Sequence, residues 1–194
     1  FMTLGARIGQ EKFYNYVTAF GFREKTGVGV PGEQTGYHYS LSSFSDLDLT
    51  TSSFGQGFKI TPLQLISAVC SVANDGNYMQ PYIISQITDS NGNVVLSNSP
   101  KVVRKTVSKE NSDIICSYLE DAVTEHIKKA YIEGYHVAGK TGTSQKLDSK
   151  NEDGVVDKKI ASFIGFAPAD DPQICVLVVV DEPNSEVQYG SLIA

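Results

Sequence analysis

The order of elements in the second half of the chain most constrains its fold. A helical pattern over about residues 108–124 precedes three stretches with strand character, at about 136–145, 160–167 and 174–181. The longest apolar run, 174–180, has the length of a strand and is far too short to cross a bilayer. One helix followed by three strands is typical of an antiparallel sheet with helices segregated against it. The sequence therefore predicts an α+β fold.

The first part of the chain is predicted to be helix and loop. Two helical pieces broken near Gly9 cover residues 1–20. Residues 23–58 are rich in Gly, Ser and Thr and show no period, which predicts an extended loop region. A further helix begins at Thr61–Pro62, a good N-cap followed by proline at the first helical position, and ends at Asn74–Gly76.

A hairpin is predicted between this helix and the second half. Pro81–Thr88 has strand character, Asn91–Gly92 is a hairpin turn, and Val94–Leu96 is the partner strand. Further on, the segment Lys146–Lys159 is polar and is expected to be an exposed linker, and a helix is expected to begin near Ser185. No repeat or second domain is indicated.

Composition excludes several classes of function. The chain has 194 residues, of which 41% are hydrophobic and 20% are charged, as in soluble globular domains. Its net charge is -6 and it contains no basic run, so nucleic-acid binding is not expected. Cys70, Cys116 and Cys175 include no Cys-x-x-Cys pair and lie in apolar patterns, which predicts buried thiols and no disulfide framework.

The segment Lys140-Thr141-Gly142-Thr143 carries the most chemical information. In a strand, Lys140 and Gly142 point to one face and Thr141 and Thr143 to the other. Two hydroxyls and an ammonium within four residues form a compact anion-binding edge. Gly142 allows another backbone to come close. On an edge strand, the unpaired backbone groups can also bind an extended peptide. By itself the motif is equally compatible with an ordinary exposed strand.

The surroundings of this motif carry a family resemblance. Gly55–Leu65 precedes it with Gly-Gln-Gly and Thr-Pro-Leu-Gln, and Ser162–Pro172 follows it. Together with Phe13–Phe22 and Thr26–Glu33, these blocks resemble the class B penicillin-binding proteins, whose superfamily carries a Lys-Thr-Gly motif. The resemblance covers nearly the whole chain. Within the family, the residues of these blocks are most similar to those of the sporulation and division transpeptidases of Gram-positive type.

The resemblance implies a partial transpeptidase fold of the penicillin-binding and serine β-lactamase type, and cross-linking of peptidoglycan through a serine acyl-enzyme. Its substrates would be stem peptides ending in D-Ala-D-Ala, its inhibitors β-lactams, and it needs no cofactor. It implies that Lys140 and Thr143 are catalytic. Lys140 would supply positive potential and take part in proton relay. The backbone N–H of Thr143 would donate a hydrogen bond to the oxyanion. Thr141 and Thr143 would bind the substrate carboxylate, Gly142 would form part of the substrate-binding strand, and Gln145 would line the same edge.

The sequence departs from the family pattern in one respect. No lysine has a serine three positions before it, so the Ser-x-x-Lys nucleophile motif is missing. The triplet Ser149-Lys-Asn151 follows the Lys-Thr-Gly strand, whereas the family has Ser-x-Asn before it, so we interpret this copy as coincidence. We expect both motifs to lie upstream of Phe1. We also expect residues 1–194 to be the C-terminal part of a single transpeptidase domain. The partner of this part would be the missing N-terminal part of the same domain. The resemblance implies a location at the extracytoplasmic face of the membrane, anchored by an N-terminal segment.

Other functions remain open from sequence. The same fold could serve as a non-catalytic module that senses β-lactams or binds a partner, or as a D,D-carboxypeptidase or β-lactamase. The Gly-Gln-Gly block favours the transpeptidase, and the lack of tryptophan disfavours the β-lactamase sensors. His38, His126 and His136 lie in no recognisable nucleophile context. His136 could ligate a metal with a Cys, Asp or Glu, but no spacing supports this, so a metal site stays unknown. The sporulation or division role, the crosslink chemistry and the β-lactam spectrum also stay open.

Overall fold

The chain forms two compact units, Phe1–Ser108 and Lys109–Ala194, and each is described by itself. The structure is a computed structural model that describes residues 1–146, 149, 156, 158–184 and 190.

The first unit begins with two helices separated by one glycine. Helix α1 spans Met2–Ile8 and helix α2 spans Gln10–Ala19, as the sequence predicted. Gly9 between them has a φ of 79°, a conformation that glycine adopts without the steric cost of a side chain. The helical pattern therefore breaks where the sequence indicated.

The prediction of an extended loop over residues 23–58 is wrong in part. A 3₁₀ turn occupies Leu41–Ser43, and helix α3 spans Asp46–Ser52. Ser45 caps α3: its hydroxyl accepts the N–H of Asp48 at 3.2 Å, and the Asp48 carboxylate accepts the N–H of Ser45 at 2.9 Å. The Ser-x-x-Asp spacing of this reciprocal cap is visible in the sequence, but it lies in a segment that was interpreted as loop.

Helix α4 spans Pro62–Ala73 and begins where the sequence predicted. Thr61 and Gln64 form the reciprocal cap at its start. Its deepest face is made of small and polar side chains rather than of its leucines and isoleucine. The buried residues of this face are Gln64, Ser67, Ala68, Ser71 and Val72.

Two small antiparallel ladders complete the first unit. Strand β1, Asn77–Met79, pairs with β4, Val102–Lys105, and neither was predicted because no short turn joins the two strands. Strand β2, Gln86–Thr88, pairs with β3, Val94–Ser97, across the predicted Asn-Gly turn. The predicted strand at Pro81–Thr88 is too long at its start, where proline has no N–H for a ladder.

The second unit contains helix α5 at Lys109–His126 and strands β5 at Ala138–Gln145, β6 at Lys159–Ala167 and β7 at Ile174–Asp181. The three strands form an antiparallel sheet in the order β5-β6-β7, which confirms the α+β prediction. The side chains at its core are almost fully buried. They are those of Val123, Ala138, Ala161 and Phe166.

Strand β5 starts two residues later than predicted. His136 has a φ of 48°, so its backbone is left-handed and cannot continue a strand. The predicted helix near Ser185 and most of the predicted Lys146–Lys159 linker lie outside the described residues. All three cysteines lie within the described residues and none forms a disulfide; Cys116 is buried, whereas the other two are half-buried, so the prediction of buried thiols holds fully for one of them.

Candidate functional site

The outer edge of β5 presents backbone groups that pair with no other strand among the described residues. In the part of the chain that the structure describes, β5 has β6 as its one sheet neighbour. Gly142 lies opposite Ser162, and just beyond the strands the Lys146 N–H donates to the Lys158 carbonyl at 2.9 Å. Facing residues in an antiparallel pair alternate between exchanging backbone hydrogen bonds and exchanging none. The even-numbered residues of β5 therefore bond to β6, and the odd-numbered residues direct their N–H and C=O groups outward.

Thr141 and Thr143 are two of these outward-directed residues. Their side chains are half-buried and share one face of the sheet, whereas Lys140 and Gly142 belong to the opposite face. The Thr143 N–H and the two hydroxyls therefore lie close together along the edge of the strand. The structure thus places these sequence-predicted residues along one edge of one strand.

Lys140 places its charge at the same edge. Its side chain is exposed, and its ammonium donates to the Thr141 carbonyl at 2.8 Å. The ammonium also lies 3.5 Å from Thr141 Oγ1. Because the Thr141 carbonyl points outward, this contact holds the positive charge beside the unpaired backbone groups. Gln145 is exposed at the far end of the strand, two residues beyond Thr143. We call the outward side of Lys140–Gln145 the β5 edge.

A contact at the start of β5 was not predicted from sequence. His136 Nδ1 lies 2.7 Å from Glu120 Oε1 of α5, and the His136 carbonyl accepts the Ala169 N–H at 2.8 Å. The hydrogen bond and the negative charge of Glu120 raise the pKa of His136 above 6.5, with a smaller contribution from Asp170. No sequence spacing connects Glu120 with His136, so only the folded chain reveals the pair.

A charged network lies at the other end of β5. The Lys146 ammonium is 2.9 Å from an Asp181 oxygen and 2.7 Å from a Glu182 oxygen, and Lys158 donates to the second Glu182 oxygen at 2.7 Å. The contacts with Glu182 and Asp181 raise the pKa of Lys146, and those with Lys146 and Lys158 lower the pKa of Glu182. These side chains hold the ends of β5, β6 and β7 together. Asp181 is the last residue of β7 and Glu182 follows it, so two adjacent acids mark this network in the sequence.

The remaining predicted candidates do not join the β5 edge. His126 ends α5, where a cation is favoured by the helix dipole, and its Nε2 lies 3.7 Å from Glu125. His38 belongs to an aromatic cluster in the first unit with Tyr14 and Phe44, and burial lowers its pKa. Among the residues that the structure describes, no three His, Cys, Asp or Glu side chains form a group that could hold a metal ion.

An apolar groove of about 360 Å³ lies on another part of the second unit. Its walls come from one face of β6 and β7 and from the segment between α5 and β5, and include Phe163, Val176 and Ile132. No residue of the β5 edge lines this groove. The groove and the predicted site are therefore separate surfaces.

Comparisons with known proteins identify the family to which this chain is similar. The family model described as the penicillin binding protein transpeptidase domain matches residues 1–194. Stage V sporulation protein D of Bacillus subtilis (strain 168) is 40% identical over 196 residues, which cover 100% of this chain and 30% of that protein. The peptidoglycan D,D-transpeptidase FtsI of Buchnera aphidicola is 34% identical over 180 residues, with 90% and 30% of the two chains covered.

Solved structures agree with the described fold. Penicillin binding protein 3 from Mycobacterium tuberculosis, complexed with aztreonam, has a TM-score of 0.85 and 29% sequence identity, with 95% of this chain and 43% of that chain covered. The chain thus spans about a third of the length of these curated relatives and less than half of this solved structure. Within the described residues, no helix combines the length and apolar character needed to cross a membrane.

Proposed function

This chain belongs to the penicillin-binding protein transpeptidase family, and on that premise we propose that it supplies one wall of the active site of a serine D,D-transpeptidase. The observation that carries the proposal is the β5 edge, where the outward N–H of Thr143 lies beside two threonine hydroxyls and the Lys140 ammonium. Residues 1–194 would be the C-terminal part of one transpeptidase domain. The missing N-terminal part would supply the serine, its lysine and the Ser-x-Asn motif.

The reaction assigns a role to each group of this edge. The serine oxygen attacks the carbonyl between the two D-alanines of a stem peptide, and the Thr143 N–H donates to the oxygen on which negative charge develops. The bond to the terminal D-alanine breaks, and its nitrogen takes a proton as it leaves. The acyl group then passes to the amine of a second stem peptide, which releases the serine. The Thr141 and Thr143 hydroxyls donate to the carboxylate of the terminal D-alanine, with Gly142 between them.

Lys140 stabilises the same anions and takes part in proton transfer. Its ammonium at the Thr141 carbonyl lies at the edge where the substrate carboxylate would bind, and no cofactor is required. Gln145 would bind the substrate further along the strand. β-Lactams carry a carboxylate and a strained amide, so the same groups would bind them in place of the stem peptide. The relative that is complexed with aztreonam supports this ligand class.

The family also supports a role at the outer face of the cell membrane. We place the site there, with the anchor in a segment upstream of this chain, because the peptidoglycan that a D,D-transpeptidase cross-links lies outside the membrane. The 40% identity with a stage V sporulation protein favours a sporulation or division role. The relative named as a D,D-transpeptidase favours acyl transfer to an amine over the hydrolysis performed by a D,D-carboxypeptidase.

Covalent labelling tests this proposal. The full-length parent protein is expected to form a stable adduct with a fluorescent penicillin, visible as a labelled band on a denaturing gel, whereas the 194-residue chain alone is expected to stay unlabelled. An unlabelled parent would rule out the acyl-enzyme. Labelling of the short chain would place the nucleophile within residues 1–194. A parent that is labelled but neither cross-links nor hydrolyses stem peptides would be a β-lactam-sensing module.

A further inference from the structure

A distant glycine contacts the Thr143 hydroxyl. The Gly190 N–H donates to Thr143 Oγ1 at 3.1 Å. A Cβ atom at Gly190 would lie 2.3 Å from the Gly142 carbonyl oxygen and 2.6 Å from that of Ser162, both of which belong to the β5–β6 ladder. No side chain fits at these distances, so any other residue would move the backbone at position 190 away from the sheet. The contact with Thr143 therefore depends on glycine.

The direction of this hydrogen bond determines what the hydroxyl can offer. A threonine hydroxyl has one proton to donate and two lone pairs to accept with. Because the Gly190 N–H occupies one lone pair, the hydroxyl acts as an acceptor on that side, and its own proton turns elsewhere. A hydroxyl that accepts a hydrogen bond also becomes a stronger donor. A carboxylate can only accept, so it is the natural partner for this proton.

We propose that Gly190 is a positioning residue that fixes the Thr143 hydroxyl as a donor toward the substrate carboxylate, and so makes the site selective for an ionised C-terminus over an amide or an ester. The inference rests on the proposed function, because it takes the β5 edge as the place where the carboxylate binds. Gly190 does not contact the substrate itself. It acts through Thr143, and its effect falls on carboxylate recognition rather than on acyl transfer in general.

The alternative is that Gly190 only packs against the sheet. A packing role would weaken the fold and slow every acylation by the same factor. A positioning role would instead change the ratio of two acylation rates, that of a penicillin with a free carboxylate to that of its methyl ester. The ratio cancels any loss of active protein, so it separates the two roles.

The experiment measures this ratio in the full-length parent protein by stopped-flow or quenched labelling. Gly190→Ala is expected to lower the carboxylate-to-ester ratio about ten-fold, the size expected when a hydrogen bond to a charged group is weakened. Thr143→Val is expected to lower it at least as much. The double variant is expected to match Thr143→Val alone, because Gly190 acts through the hydroxyl. Gly165→Ala is the matched control.

Gly165 suits this purpose because a Cβ there would lie 2.8 Å from a ring carbon of Phe163, so the substitution also disturbs the sheet. Gly165 lies opposite Gly139, four residues along β5 from Thr143, so the disturbance is remote from the Thr143 hydroxyl. It is expected to lower thermal stability with an unchanged ratio. An unchanged ratio in Gly190→Ala, or a further loss in the double variant beyond Thr143→Val, would overturn the inference.

Thr143→Ser keeps the proposal testable if Gly190→Ala does not fold. Serine retains the hydroxyl and loses only the methyl group, so the Gly190 N–H should still orient it and the ratio should stay within about two-fold of the wild-type value. A serine variant that loses the ratio would show that methyl packing orients the hydroxyl, against our inference. Wild-type protein that fails to react with either penicillin would contradict the proposed function itself, which is a distinguishable result.

Discussion

His136 Nδ1 lies 2.7 Å from Glu120 Oε1, and this contact joins α5 to the residue two positions before β5. The His136 backbone is left-handed at this point, and its carbonyl accepts the Ala169 N–H. The start of the strand that carries Lys140 is therefore held by one side-chain contact and one backbone contact. The side-chain contact depends on the charge of the imidazole, so it depends on pH.

The first prediction concerns that pH dependence. Glu120 raises the pKa of His136 above its ordinary value of 6.5. A raised pKa means that the folded protein binds the proton more tightly than the unfolded chain does. The pair therefore stabilises fully below pH 6.5, and this stabilisation is lost as pH rises through the raised pKa. Melting temperatures measured from pH 5 to 9 should show this loss.

Glu120→Gln removes the charge that raises the pKa. The variant should melt at a lower temperature than the wild type in acid and at nearly the same temperature at pH 9. His136→Gln should behave in the same way, and the double variant should add nothing. A Glu120→Gln deficit that stays constant from pH 5 to 9 would contradict the prediction.

The second prediction concerns Lys140. Lys140→Ala removes the cation that lies 2.8 Å from the Thr141 carbonyl at the β5 edge. The rate constant for acylation of the full-length parent by a fluorescent penicillin should fall by roughly 10² to 10³, because electrostatic stabilisation and proton transfer are both lost. The melting temperature should change little, since the side chain is exposed.

Lys129→Ala is the control for charge. It removes the same charge from the same unit at a residue that lines the apolar groove and not the β5 edge. Acylation of this variant should stay within about two-fold of the wild-type rate. Equal losses in the two variants would mean that net charge, and not the position of Lys140, determines the rate.

The third prediction concerns Gln64, which is fully buried at the start of α4. Its amide oxygen accepts the N–H groups of Thr61 and Gly36, and its amide nitrogen donates to the carbonyls of Gly21 and Glu24. One side chain thus satisfies backbone groups from three segments. Gln64→Leu leaves these groups buried and unpaired, and should cost about 3 kcal/mol of unfolding free energy. Denaturant titration measures this loss.

Gln34→Ala provides the comparison for this variant. Gln34 is exposed and donates one hydrogen bond, to the Gly32 carbonyl at 3.1 Å. Its loss should cost less than about 0.5 kcal/mol. If the two glutamine variants unfold at the same denaturant concentration, the hydrogen bonds of Gln64 do not stabilise the first unit as we expect.

The fourth prediction concerns the charged network at the end of the sheet. Lys146→Met keeps the length of the side chain and removes the contacts with Asp181 and Glu182. The variant should melt at a lower temperature than the wild type in low salt. In 1 M NaCl the Debye length falls to about 3 Å, so the deficit should shrink. A deficit of equal size in both salts would assign the effect to packing of the lysine stem.

Local signals account for the parts of the fold that were predicted correctly. Thr61 and Pro62 mark the start of α4 because capping and the fixed φ of proline act within a few residues. The strands β6 and β7 follow from apolar runs. The β5 edge was predicted as a set of residues because strand alternation is a local rule, and the Lys-Thr-Gly motif came from a family resemblance rather than from physics.

Contacts between distant segments account for what was missed. Glu120 and His136 are 16 residues apart, and Gly190 and Thr143 are 47 residues apart. No pattern in the sequence relates such pairs, since the two residues of each pair meet only in the folded chain. Strands β1 and β4 were missed for a related reason: they pair across more than 20 intervening residues, whereas β2 and β3, which are equally short, are joined by a turn that the sequence reveals.

The alternation of backbone groups along β5 also limits how an extended ligand can align with it. Outward-facing residues recur every second position, a step of about 6.8 Å in an antiparallel strand. In the binding mode proposed above, sliding a peptide by one such step would move its carboxylate from Thr143 to Gln145, which carries an amide, or from Thr141 to Gly139, which has no side chain. The positions of the two hydroxyls therefore favour one register for an extended ligand whose carboxylate binds at this edge.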